Sequence, residues 1–191
     1  MRNIYLVEHS LDYCKRIYEL SSAPEVKDAL GLPDGTIKDT EKFIISIMEE
    51  EKEGKTISRV ILDENKHVIG ITTLMFIDHE KESCHLGTWI GHHYWGKGYN
   101  LASKIEILRI AFFDIHLKYV FSGARKVNIR SQKAQEKLPF IRLHVQKDFP
   151  DVHRSLELKE KQACELHVFV RDDFIQLYKN NKKTEKTTTK M

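Results

Sequence analysis

One stretch constrains this chain more than any other: the glycine-punctuated turn Tyr94-Trp95-Gly96-Lys97-Gly98-Tyr99-Asn100, which follows an apolar, strand-like run. From Asn100 onward, Leu101, Ile105, Leu108, Phe112 and Ile115 recur at spacings of four, three, four and three, which is one face of a helix. A long helix therefore begins inside the turn. Its first backbone N–H groups have no carbonyl partners, and with the positive end of the helix dipole they form a place for an anion. Gly96 and Gly98 let the backbone take unusual dihedrals and approach a ligand closely. Two glycines are a weak motif, and alone they read as a ligand-free helix start, so the neighbouring segments have to decide.

Taken in order, Ile4 and Leu6 mark a short strand and Leu11 to Leu20 a helix. Pro24, Pro33 and Gly35 punctuate the next stretch, with room for a short helix from Val26 to Leu30. Asp39 or Thr40 can cap a helix carrying Phe43, Ile44, Ile47 and Met48 on one face, with Glu49, Glu50, Glu51 and Glu53 as a solvated acidic end. Ser58–Asp63 and Val68–Ile77 form a hairpin around Glu64-Asn65. Val68, Leu74 and Phe76 alternate with Ile69, Ile71 and Met75, so both faces of the second strand are apolar and it belongs in the sheet centre. Ser83–Gly91 returns as a strand, and Tyr119–Gly123 follows the long helix to complete a β-α-β crossover. A helix over Ile129–Lys137 precedes a strand at Ile141, Leu143 and Val145, and a last strand carries Leu166, Val168 and Val170. Gln146–Gln162 is charged and reads as irregular. With the 24–39 segment, it is a candidate wall for an acceptor cleft.

The chain has 191 residues, enough for one domain with a sizeable core. It reads as a single domain over residues 1–179 followed by a Lys/Thr-rich tail, 180–191, expected to stay mobile. The formal charge is +3, yet the lysines from Lys179 to Lys190 more than account for it, so the body is close to neutral. No basic patch marks a nucleic-acid face, no apolar run is long enough to cross a bilayer, and no signal-peptide pattern opens the chain. A cytoplasmic protein, monomeric or homodimeric, is expected, with no nucleic-acid or membrane partner. Cys14, Cys84 and Cys164 are odd in number and widely spaced, which suggests reduced, buried thiols.

Four segments, Leu86-Gly87-Thr88-Trp89-Ile90, Trp95-Gly96-Lys97-Gly98-Tyr99-Asn100, Asn128-Ile129-Arg130-Ser131 and Glu136-Lys137-Leu138-Pro139-Phe140, stand in the order and spacing of one family. Together they resemble the GNAT acetyltransferase superfamily, in its ribosomal-protein N-acetyltransferase branch. The resemblance implies an α/β (α+β) GNAT fold, a central mixed, mostly antiparallel twisted sheet of about seven strands flanked by helices on both faces. It also implies acetyl-CoA as cosubstrate, a primary amine as acceptor (a protein N-terminal α-amine or a small molecule), and direct attack in a ternary complex. Trp95, Gly96, Lys97, Gly98, Tyr99 and Asn100 would cradle the pyrophosphate. The strand bearing Leu86 and Thr88 would pair its main chain with the pantetheine arm, to which Asn128 would also bind, and the Ser131 hydroxyl would meet the leaving sulfur. Asn128 equally suits a helix N-cap.

An attacking amine must be neutral. At pH 7 deprotonation costs about 1.4 kcal/mol for an α-amine and about 4.6 kcal/mol for a lysine, so an N-terminal amine needs only a modest base. The family often places a carboxylate directly before the Leu-Gly of the strand; here His85 stands there, an imidazole matched to an α-amine. Glu82 is the reserve, acting through water. Trp89 shares the parity of His85 and could line the acceptor pocket or serve the core. Gly87 suggests a bulge or a close backbone approach. Asn100, Pro139 and Ala102 depart from the usual motif residues without removing a group the chemistry needs.

Other constellations are weaker. Cys84 and His85 are adjacent on a strand and point to opposite faces. His79 and His85 would lie about 20 Å apart, too far to share a metal ion with His92 and His93, and no metal site is expected. A non-catalytic CoA-binding module on the same fold is the alternative reading. A nucleotide- or RNA-binding role lacks a P-loop and a basic aromatic face.

Overall fold

A computed structural model describes residues 2–178. The 180–191 tail lies outside the described residues. The described residues form two compact units, 2–78 with 84–115, and 79–83 with 116–178. Seven strands interleave with helices, the expected α/β pattern. In the first unit the strand order is β1 (Tyr5–Val7), β2 (Thr56–Leu62), β3 (Val68–Asp78) and β4 (Ser83–Ile90). In the second, β5 (Tyr119–Arg125) and β6 (Ile141–Arg142) flank β7 (Cys164–Val170). No helix among the described residues is long and apolar enough to cross a membrane.

Both faces of the first unit's strands are covered. Cys14, Ile17 and Leu20 of helix α1 (Cys14–Ser21) and Ile44 of α3 (Ile37–Lys52) pack on Val60, Leu62, Val68 and Ile71. Helix α2 (Pro24–Leu30) lies between them in sequence and starts at Pro24, whose fixed φ suits a first helical position. On the other face Ile61, Ile69 and Ile90 enclose Tyr99. Each fully buried aliphatic side chain contributes on the order of 1.5–3 kcal/mol.

The strict alternation read along β3 does not hold. Ile61 pairs with Gly70 but Leu62 with Val68, a bulge that leaves Ile69 extra and puts Val68 and Ile71 on one face. Phe76 is 57% exposed with φ +56, so it leaves the core altogether. The cap of α3 is Thr36, not Asp39 or Thr40. Its N–H and hydroxyl both donate to the Asp39 carboxylate, at 2.9 and 2.8 Å, closing a capping box three residues upstream of the expected start. The acidic end of α3 is partly structural rather than solvated: Glu50 accepts from the Thr56 hydroxyl at 3.2 Å, and Glu51 binds Arg59 at 2.6 Å.

Beneath α3, His9 Nε2 meets the Ser58 hydroxyl at 2.8 Å, and Ser58 meets Thr73 at 2.7 Å, all three buried. Burial first, with Arg59 reinforcing and Glu51 opposing, lowers the His9 pKa to about 4. Between that value and about 6.5 the unfolded chain binds a proton that the folded chain refuses. The stabilisation is therefore complete above pH 6.5 and is lost as pH falls toward 4, by about 3 kcal/mol from this one group. In thermal unfolding the midpoint should drop by roughly 5–10 °C from pH 7.5 to pH 4.5, and His9→Phe should flatten the decline. An unchanged decline in His9→Phe would remove His9 as its source.

In the second unit Phe121, Cys164, Leu166, Val168 and Val170 form a core with Leu156. Leu156 belongs to α6 (Pro150–Glu160), so the stretch expected to be irregular is a helix, opened by Pro150 and anchored by Phe149, Val152 and Leu156 at helical spacing. It fits because Gly123 has no side chain: a Cβ there would lie 2.6 Å from Leu156 Cδ2. The expected strand at Ile141, Leu143 and Val145 stops at Arg142. His144 turns left-handed at φ +55, and its N–H donates to the side-chain Nδ1 of His167 on β7 at 3.0 Å instead of to a main-chain carbonyl, before Val145 N–H returns to the Leu166 carbonyl at 2.9 Å. Cys14, Cys84 and Cys164 are free and buried, and burial pushes all three thiols up, so none is a ready nucleophile.

Candidate active site

Helix α4 (Tyr99–Arg109) begins where the glycine turn ends. Its N-cap is Gly98, at φ +87, and Gly96 stands at φ +72, so both glycines occupy the left-handed region that side chains avoid. Ala102 N–H donates to the Gly98 carbonyl at 3.1 Å as the first intrahelical bond. The amides of Tyr99, Asn100 and Leu101 therefore precede any helical acceptor. Asn100 is a helical residue and not the cap; its carbonyl accepts from the Ser103 hydroxyl at 3.0 Å.

Space beside the two glycines is open. A Cβ placed on Gly96 would meet nothing within 4 Å, and one on Gly98 only Arg2 Cγ at 3.7 Å. An amide-lined, positively polarised turn of this kind suits a diphosphate. Supporting contacts fix the turn from behind. Trp95 Nε1 donates to the Ile90 carbonyl, and Arg2 Nε donates to the Lys97 carbonyl at 3.1 Å. Tyr99 is buried, and its hydroxyl donates to Glu64 at 2.9 Å; Glu64 also pairs with Arg2 at 3.3 Å. Its own backbone N–H first, then the Tyr99 hydroxyl, hold the Glu64 carboxyl below the usual range. Arg2 and Glu64 belong to none of the motifs that mark the site in the sequence. They reach the turn from the chain start and the β2–β3 hairpin, contacts that no local spacing records.

The buried face of α4 also differs from the expected one. Ala102, Ser103, Lys104, Ile107, Leu108, Ala111 and Phe112 are buried, whereas Leu101, Ile105 and Ile115 are only half-buried. The helix ends in a π-helical turn, Ile110–Asp114, closed by Ile115 N–H to the Ile110 carbonyl at 3.1 Å.

On β4, Cys84 is buried and His85 half-buried, the alternation that keeps them from meeting. The His85 ring stands edge-on to Phe76, centroids 6.0 Å apart. Leu86 is buried and the Thr88 hydroxyl bonds that of Thr72 at 2.8 Å, so contact of either with a cosubstrate would run through the main chain. Trp89 packs against the α1/α3 core. The close backbone approach expected at Gly87 lies at Gly70 instead. A Cβ on Gly87 would press only on the mobile end of Met75, at 2.8 Å, while one on Gly70 would meet the Trp89 carbonyl at 2.2 Å.

The remaining expected residues belong to the second unit. Glu82 is exposed in a left-handed turn, φ +49, and its carbonyl accepts from Lys118 and Tyr119. Asn128 caps α5 (Ile129–Glu136): its Oδ1 accepts from Ser131 N–H at 3.0 Å. Ser131 is half-buried on the first turn of that helix. Among the described residues no cluster of three or more His, Cys, Asp or Glu could hold a metal ion.

Comparison with known proteins bears on the fold and the family. The chain has similar structure to a spermidine N-acetyltransferase from Vibrio cholerae solved with CoA and spermine, at 12% identity and TM-score 0.70, over 90% of this chain and 98% of that one. It is also similar to a protein from Vibrio cholerae provisionally described as a ribosomal-protein-serine acetyltransferase (14% identity, TM-score 0.67, 75% of this chain and 82% of the other). A microcin C7 self-immunity acetyltransferase solved with acetyl-CoA and AMP aligns at 20% identity and TM-score 0.64, over 73% of this chain and 79% of that one. These likenesses establish the fold. No curated protein sequence matches the chain. The family model described as an acetyltransferase (GNAT) domain matches residues 3–141, and with most of its length so matched the chain belongs to the GNAT acetyltransferases.

Proposed function

We propose that this N-acetyltransferase, whose cosubstrate is acetyl-CoA, moves the acetyl group to a primary amine, a protein N-terminal α-amine or a small-molecule amine, by direct attack without a covalent enzyme intermediate. The observation that carries the reading is the open, doubly left-handed turn at Gly96 and Gly98 ahead of the unpaired amides of α4. These amides bind the pyrophosphate and aim the thioester. The acceptor nitrogen then donates its lone pair to the thioester carbonyl carbon. A C–N bond forms, the C–S bond breaks, and its electron pair leaves on sulfur. His85 takes the proton that the amine gives up, and Ser131 donates a hydrogen bond to the departing sulfur. Most of the acceleration comes from holding the two reactants in line, with the base adding a smaller factor. The mostly neutral body and reduced thiols suit a cytoplasmic setting.

The reading is tested by release of CoA thiol from acetyl-CoA with a panel of amines: peptides with free N-termini, spermidine and other polyamines, and amino acids. Turnover with at least one of them is expected. His85→Ala should lower kcat about 10- to 100-fold with the KM for acetyl-CoA within about twofold. Tight CoA binding with no turnover on any amine would instead indicate a non-catalytic module. Unchanged kcat in His85→Ala would remove His85 from the mechanism.

A further inference from the structure

Gln135 is a buried polar residue to which the mechanism above gives no role. It sits on α5 one turn beyond Ser131, 3% exposed, and its Nε2 lies 3.3 Å from both the Gly123 carbonyl on β5 and the Ser131 hydroxyl oxygen. The Gly123 carbonyl can only accept, so it fixes which way the amide faces: the NH2 group points to β5 and its oxygen away. The same NH2 therefore offers its second hydrogen to Ser131 Oγ. A hydroxyl that accepts on one side keeps its own hydrogen for another partner. The backbone N–H of Ser131 is held by Asn128 Oδ1 at 3.0 Å.

We infer that Gln135 is a positioning residue that sets the polarity of Ser131, holding its hydroxyl as a hydrogen-bond donor toward the sulfur of CoA. The inference rests on the proposed role of Ser131. A donor already oriented at the place where negative charge develops needs no reorganisation when the C–S bond breaks, and it favours thiolate over thiol. A carboxylate at position 135 would do the opposite, taking the Ser131 hydrogen for itself. An apolar side chain of the same length would leave the hydroxyl free to rotate.

The experiment is calorimetric titration with CoA and with acetyl-CoA from pH 6.5 to 9.5. Acetyl-CoA has no ionisable thiol and serves as the internal control. In the unaltered protein CoA should tighten relative to acetyl-CoA by about tenfold over this range, as expected if the bound thiol ionises about one pH unit below the free one. Ser131→Ala and Gln135→Glu should both abolish that rise, and Gln135→Met should reduce it to about threefold. A Gln135 that merely props α5 against β5 would change thermal stability in these variants and leave the pH profile alone. If Ser131→Ala removes the rise while Gln135→Glu and Gln135→Met keep it in full, the inference fails and the role of Ser131 stands. If Ser131→Ala keeps the rise, or the unaltered protein shows none, Ser131 does not meet the sulfur and both fail. If neither CoA nor acetyl-CoA binds, the cosubstrate site itself is wrong, and the inference falls with it. Should Gln135→Glu not fold, Gln135→Met decides the outcome by the size of its rise.

Discussion

Gly98→Glu is expected to weaken acetyl-CoA binding by about a hundredfold or more while the chain remains folded. The steric part is small, since a Cβ on Gly98 meets only Arg2 Cγ at an ordinary 3.7 Å. The left-handed dihedral, φ +87, costs about 1 kcal/mol of folding stability that Gly98→Ala would share, and it weighs equally on the free and the bound protein. What Gly98→Glu adds is a carboxylate where the pyrophosphate should lie. Two unit charges 4 Å apart repel by about 4 kcal/mol at an effective dielectric of 20, and solvent screening brings the loss nearer 3 kcal/mol, or about a hundredfold. Calorimetry on Gly98→Ala and Gly98→Glu separates the two contributions. Comparable, small losses in both would mean that no anion sits at the turn.

The second large effect concerns stability. Gly70→Ala is expected to destabilise the first unit by at least about 3 kcal/mol, lowering the thermal midpoint by roughly 10 °C. The new Cβ would stand 2.2 Å from the Trp89 carbonyl oxygen and 3.0 Å from Ile90 Cα, both main chain, so only parting β3 from β4 relieves the clash. Gly87→Ala is the matched control. There the obstacle is the methyl end of Met75, which can swing away, and a cost below about 1 kcal/mol is expected. Because β4 carries His85 and leads into the glycine turn, Gly70→Ala should also reduce turnover. A Gly70→Ala protein as stable as its parent would mean that β3 and β4 are spaced more widely than described.

How much of this was readable in the sequence depended on whether the cause was local. The glycine turn, the helix after it and the Asn128 cap follow from short-range rules of dihedral freedom, periodicity and orphaned amides, and the structure has all three. The tight approach lies at Gly70 and not at Gly87 because the obstacle is a carbonyl on another strand, some twenty positions away in the chain. The bulge at Ile69 defeated a strict period of two for the same reason, since only the pairing of Ile61 with Gly70 reveals it. Helix α6 is hard to read because charged residues outnumber Phe149, Val152 and Leu156, although those three do hold helical spacing. Arg2, Glu64 and Gln135 carry no motif at all. Their parts appear only once distant segments are brought to one place.

The central claim is that the unpaired amides at the start of α4 grip the diphosphate of acetyl-CoA. A crystal structure of the protein with CoA tests it most directly. The account predicts pyrophosphate oxygens within hydrogen-bond distance of main-chain N–H groups between Gly96 and Leu101, with Arg2 still on the Lys97 carbonyl. CoA bound with its diphosphate elsewhere, and those amides facing only water, would contradict it.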